Sequence, residues 1–310
     1  MPPQEEERQM PYFERDGIKL HYIDAGQEWG GAEDSAMLFL HEFGGDARTW
    51  EEQVAFFSQH PTHSRRCLVL SARGYPPSDV PEKAGDYGWE KNLQDALGLI
   101  HHLGLKKIDV VGLSMGAYIA LLMTLNAPEI IMSAVCASVG SGGLAPMREP
   151  FIADALASAR TILETDKMPA TGMAMAPNRI QLRDKDEAAW QKFRDHLQEH
   201  PAIGAAHTLA EVQAKRPGLM DFQQQLQACE IPVLILAGDE DEPCLDASLW
   251  LKRQMPLSGL TMFSRSGHLL NLEDPQGFNQ ALLDFHICLA EKRWKKRDQT
   301  PFTSMFAKED

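Results

Sequence analysis

Short apolar runs recur along the chain, each bounded by glycine, proline or acidic residues. Residues 37–40, 66–70, 108–113, 133–139, 232–236 and 259–263 are dominated by apolar side chains. That is the pattern of strands buried on both faces of a parallel sheet. Residues 13–23 instead alternate around Asp16-Gly17 and read as a hairpin. Between the runs, apolar residues recur at helical spacing over 50–57, 89–103, 117–125, 246–255 and 275–292. The clearest case puts Leu93, Ala96, Leu97, Ile100 and Leu103 on one face, with Gly104 as the stop. Strands alternating with helices predict an α/β fold with a doubly wound, mostly parallel sheet covered on both faces.

The rhythm changes between residues 144 and 227. Strand-like runs stop, and helical patterns take over at 151–163, 187–199, 202–214 and 218–227. The block 144–227 therefore reads as a helical insert in a core made of residues 11–143 and 228–292. Residues 1–10 and 293–310 read as flexible polar termini. Met168, Met173 and Met175 surround Pro169, Gly172 and Pro177, which suggests a flexible apolar lid or linker. Trp190, Phe193 and Leu197 fit helical packing, with room for one of them to face a pocket.

In sheets of this kind ligands bind beyond the carboxyl ends of the strands. Residues 41–46, Ser114, Asp241 and His268 all follow strand-like runs. Ser114 sits in Gly112-Leu113-Ser114-Met115-Gly116, between a strand and a helix. A serine at such a corner is held on a strained turn with its hydroxyl above the sheet. The Met115 N–H, near the helix N-terminus, points to whatever that hydroxyl attacks. The plainer reading of Ser114 is a helix N-cap. A serine hydroxyl needs a base to take its proton, and a histidine oriented by a carboxylate can do so. The chain supplies Ser114, Asp241 and His268 in that order. Asp239, Glu240 and Glu242 compete with Asp241 for the carboxylate role.

This order, with the Gly-x-Ser-x-Gly corner, resembles the α/β-hydrolase fold family. The likeness spans roughly residues 13–290. It includes His41-x-Phe43-Gly44-Gly45, Gly238-x-x-Asp241-x-Pro243, and Gly267-His268 followed by Glu273-x-Pro275. It implies an eight-stranded sheet with a helical cap, Ser114 as nucleophile, Asp241 as acid and His268 as base. The backbone N–H groups of Phe43 and Met115 would form an oxyanion hole, and the substrate would be a carboxylic ester or lactone. Cleavage of a carbon–carbon bond in a 1,3-dicarbonyl or ring-cleavage product uses the same residues. A ligand receptor without catalysis could also keep this fold. Two positions depart from the family: Glu42 stands where glycine is usual, and Ser71 where aspartate is. A carboxylate near a developing oxyanion is unfavourable unless it points away.

Charge and cysteines narrow the partners. Thirty basic against 44 acidic residues leave a net charge of −14, which argues against nucleic acid and anionic membrane surfaces. Residues 110–125, the most apolar stretch, are too few to span a bilayer. Residues 1–10 lack the pattern of a secretory signal. Five scattered cysteines read as reduced thiols, and Cys244 as an inert one near Asp241. His196, His200 and His207 could share a helical face, but Pro201 interrupts it, so no metal site is expected. Arg73 reads as a structural loop residue, and His41 either braces its loop or touches substrate. The expectation is a cytoplasmic monomer or homodimer that acts on a small molecule with an apolar portion and needs no cofactor.

Overall fold

The computed structural model describes residues 11–26 and 35–297. The expected hairpin is β1 (Tyr12–Arg15) and β2 (Ile18–Ala25). Asp16 and Gly17 between them take left-handed φ values of 54° and 76°, as a tight turn requires. Then follow β3 (Ser35–Leu40), α1 (Glu51–Ser58), β4 (Cys67–Leu70), α2 (Trp89–His102), β5 (Lys107–Leu113), α3 (Met115–Asn126) and β6 (Ile131–Ala137). Six helices come next: α4 (Arg148–Thr165), α5 (Ala170–Ala174), α6 (Ile180–Lys185), α7 (Glu187–Glu199), α8 (Ala202–His207) and α9 (Gln223–Ala228). The chain then returns to the sheet with β7 (Val233–Gly238), α10 (Glu242–Gln254) and β8 (Ser258–Phe263). It ends in α11 (Leu270–Glu273) and α12 (Pro275–Ala290).

Eight strands form one sheet in the order β1-β2-β4-β3-β5-β6-β7-β8. The first two pairings are antiparallel and the rest parallel. The central strands β3 to β7 are mostly apolar because both faces are covered. Val110 points into a cluster with Leu99 of α2, Leu122 of α3 and Leu251 of α10. Its neighbour Val111 points the other way, toward Phe57 of α1, Phe278 of α12 and Phe193 of the insert. Burying each such side chain contributes about 1.5–3 kcal/mol.

Four details differ from the sequence expectation. β6 ends at Ala137 rather than at 139, because Ser138 takes a left-handed φ of 49°. The 202–214 helix is broken: after α8 a wider turn runs over Thr208–Gln213, with the Ala214 N–H reaching Leu209 O at 2.9 Å. This turn places Leu209 and Gln213 on a cavity wall. The methionine stretch is not a plain linker, since Pro169 leads into α5 and Met168 is buried. Trp294 and Arg297, expected to be part of a flexible tail, pack on the core, and the Arg297 N–H donates to Pro256 O at 3.0 Å. The Trp294 ring lies against Gly259 and Phe285, and its indole N–H donates to Leu257 O at 2.8 Å. One aromatic side chain in a charged segment found an apolar seat that its neighbours' polarity concealed. The expected termini 1–10 and 298–310 lie outside the described residues, as do 27–34. Among the described residues no helix is long and apolar enough to cross a membrane.

Candidate active site

Ser114 joins β5 to α3 with φ 53° and ψ −107°. A left-handed φ on a residue other than glycine costs about 1–3 kcal/mol and persists only where the surroundings enforce it. Here the Ser114 N–H donates to Ala137 O at 2.8 Å, and its carbonyl accepts from the Tyr118 N–H at 2.9 Å. The flanking glycines allow the close approach. A Cβ on Gly112 would lie 2.3 Å from the Gly116 backbone, and one on Gly116 would lie 2.0 Å from Leu40 O. The Ser114 side chain makes no capping bond to α3. It opens instead onto a cavity of about 500 Å³ that His268 and Phe43 also line.

His268 follows β8 and Asp241 follows β7, and both are buried. Nδ1 of His268 lies 2.8 Å from Oδ2 of Asp241. An ionised carboxylate only accepts, so the ring proton is assigned to Nδ1, and Nε2 of the neutral ring carries a lone pair. Burial works against the Asp241 charge. The neighbouring ring outweighs it, together with hydrogen bonds from His268 and Asn178, and holds the carboxyl below its ordinary value. Asp239 turns to the Ser266 N–H at 3.1 Å, and Glu240 to the Gln181 amide at 2.8 Å. Cys244 lies 3.9 Å from Nδ1 and donates to Ser138 O. Asp241, Cys244 and His268 are the one trio among the described residues close enough to share a metal ion. Burial pushes the Cys244 thiol well above its ordinary value.

The loop after β3 faces the same corner. His41 donates from Nδ1 to Glu42 O at 2.8 Å and accepts from the Ala72 N–H at 3.0 Å. The Tyr75 hydroxyl donates to Phe43 O at 2.7 Å. The backbone N–H groups of Phe43 and Met115 have no partner among the described residues. Glu42 has no positive φ, so the loop does not need a glycine there. Its carboxylate is fully buried, takes the Arg179 guanidinium at 2.7 Å and stands 3.6 Å from Nε2 of His268. Ser71, at the second departure, lies 3.1 Å from the ring of His21. Arg73 is held by Asp95 through two contacts of 2.7 Å, a structural clamp.

Residues 37–281 match the model of the alpha/beta hydrolase family. The chain belongs to this family. It is 26% identical over 270 residues to the Pseudomonas putida 2-hydroxy-6-oxononadienedioate/2-hydroxy-6-oxononatrienedioate hydrolase 2, covering 86% of this chain and 91% of that one. It is also 26% identical over 273 residues to 3-oxoadipate enol-lactonase 2 of Acinetobacter baylyi, covering 86% and 92%. Its fold resembles the enol-lactonase of Burkholderia xenovorans with a TM-score of 0.74 at 22% identity, over 89% of this chain and all of that one.

The hydrolase's insert supplies what sequence reasoning missed. Asn178 donates from its amide to Asp241 Oδ1 at 2.9 Å and accepts the His268 N–H at 2.6 Å. Lys185 reaches Glu273, whose carboxylate accepts the N–H groups of Gly267 and Leu269 on either side of His268. Arg216 lines the cavity, is 4% exposed, and stacks on Tyr118 and Phe151 at 4.9 and 5.1 Å. It has no carboxylate partner among the described residues, and burial lowers it to about 10, so it stays charged at neutral pH. Trp190, Phe193 and Leu197 join the apolar cluster that holds Val111 and Phe278, and none lines the cavity. His200 faces Asp46 at 3.4 Å and His207 faces Glu82 O at 3.0 Å, so these histidines serve separate contacts.

Proposed function

We propose that this alpha/beta hydrolase is a serine hydrolase of carboxylic esters or lactones, working through an acyl intermediate on Ser114. One observation carries the reading: a strained serine opens onto the cavity that holds a buried histidine, whose far nitrogen is bound to a carboxylate at 2.8 Å. In this mechanism Ser114 Oγ attacks the carbonyl carbon as His268 Nε2 takes its proton. Asp241 fixes the ring and stabilises the imidazolium. The oxyanion is held by the Phe43 and Met115 N–H groups, each contributing about 3–4 kcal/mol in the transition state. His268 returns the proton to the departing alkoxide. A water, deprotonated by the same nitrogen, then releases the acid from Ser114.

The cavity wall describes the substrate. The insert of residues 144–227 forms much of it, and Ile162, Met168 and Leu209 suit an apolar portion. Arg216 adds a buried cation without an ion-pair partner among the described residues, which favours a substrate bearing a carboxylate. The two relatives at 26% identity are named for acting on molecules that carry carboxylates, one a lactone and one a dienedioate. The second name supports a second reading, hydrolysis of a carbon–carbon bond next to a carbonyl by the same residues.

The test is hydrolysis of p-nitrophenyl esters of increasing chain length, with and without a terminal carboxylate. Ser114→Ala is expected to lose at least about 10⁴-fold in kcat. Arg216→Met is expected to raise KM for the carboxylated esters about tenfold or more while sparing the neutral ones. No wild-type turnover of any ester, with turnover of a 2-hydroxy-6-oxodienoate, would replace the first reading by the second.

A further inference from the structure

Glu42 stands where a carboxylate is costly. It is fully buried, its Oε1 has no hydrogen-bond partner, and its Oε2 lies 3.6 Å from Nε2 of His268. Nδ1 of that ring already donates to Asp241, so the neutral ring turns a lone pair toward a second carboxylate. Two acceptors at that separation repel, whereas an imidazolium there would be bound. Left alone, a carboxylate at this distance favours the imidazolium over the neutral ring, and an imidazolium takes no proton from Ser114. Arg179 removes this conflict with Nη2 at 2.7 Å from the same Oε2. Glu42 and His268 sit on loops after β3 and β8, but Arg179 comes from the helical insert, just before α6.

We infer that Arg179 is a positioning residue: by neutralising Glu42 it keeps His268 free to accept the Ser114 proton, so the base is competent only while this part of the insert is docked. The inference rests on His268 being the base proposed above. The other charged and titratable groups nearby stay constant in the variants that follow. Asp241 and Cys244 face Nδ1, His41, Tyr75, Asp46 and His200 lie on the Glu42 side, Asp154 and Arg216 share the cavity wall, and Glu273 with Lys185 holds the backbone on either side of the ring.

The experiment is an NMR titration of the His268 ring in the full-length protein, with its signals assigned by their loss in His268→Asn. Arg179→Met leaves Glu42 uncompensated and is expected to raise the titration midpoint by about 1–3 pH units relative to wild type. Arg179→Met with Glu42→Gln is expected to return it to within a few tenths of a unit, and Arg179→Lys to leave it near wild type. Glu42→Gln alone leaves a bare cation beside the ring and is expected to lower the midpoint, which keeps the test available should Arg179→Met not fold. In parallel, kcat/KM for an ester should fall in Arg179→Met at pH 7, recover as pH rises, and recover at pH 7 when Glu42→Gln is added. An unmoved midpoint in Arg179→Met and in Glu42→Gln, or a double variant as impaired as the single one at every pH, would overturn the inference. The titration needs no turnover, so a wild type that hydrolyses no ester would count against the proposed function and leave this result standing.

Discussion

The strand ends and the helical insert meet at one cavity, but they build it in different ways. Ser114, Asp241 and His268 each sit within a few residues of a strand end, on backbone held by close contacts such as Gly116 against Leu40. The insert brings Asn178, Arg179 and Arg216 from loops between helices, and these residues reach partners far away in the chain. Under the proposed mechanism one region places the reacting groups, while the other sets their charges and the shape around them. On this view, chemistry can be kept while specificity changes, because the two are carried by separable parts of the fold.

The comparison can be broken most forcefully at the strand ends. Asp241→Asn should keep the fold and lower kcat about 10⁴-fold, by leaving the ring in the wrong tautomer. A loss under tenfold in steady-state ester hydrolysis would mean that β7 does not orient the base. On the insert, Phe193 is 2% exposed in the cluster it shares with the sheet, and Phe193→Ala should cost about 3–5 kcal/mol. Urea unfolding should show that loss, with activity failing at lower urea than the far-UV signal of the sheet. Coincident loss of both would make the two regions one cooperative unit. Asn178→Ala sharpens the boundary between them. Hydrogen bonds to a charged group contribute about 1.5–3 kcal/mol, and this one is already made in the resting protein, so stability should fall by that order and kcat by about tenfold or less. The smallest effect belongs to Cys244. Burial raises its thiol and leaves it unreactive, so iodoacetamide at pH 8 should label it only after unfolding, as peptide mass mapping would report.

Legibility in the sequence divides along the same line. Strands covered on both faces leave uninterrupted apolar runs, and the Ser114 corner leaves glycines where a Cβ would strike backbone. Those signals are local, so the sheet, the hairpin and the position of the corner could be read directly. Asn178 and Arg179 carry no such signal. Their meaning depends on Asp241 and Glu42, 63 and 137 residues away, and on short helices whose periodicity is too brief to see. Glu42 was legible as a departure from the family pattern, but its partner was not. The turn over Thr208–Gln213 escaped because its apolar spacing differs from that of a regular helix by a single residue. Trp294 escaped because charged neighbours outweighed it.

The central claim is a covalent acyl group on Ser114. Rapid quench of wild type with excess p-nitrophenyl ester, followed by intact-mass and peptide mapping, tests it most directly. A gain of one acyl mass is expected on the peptide that holds Ser114, and none in Ser114→Ala. An adduct on another residue, or full turnover by Ser114→Ala, would contradict it.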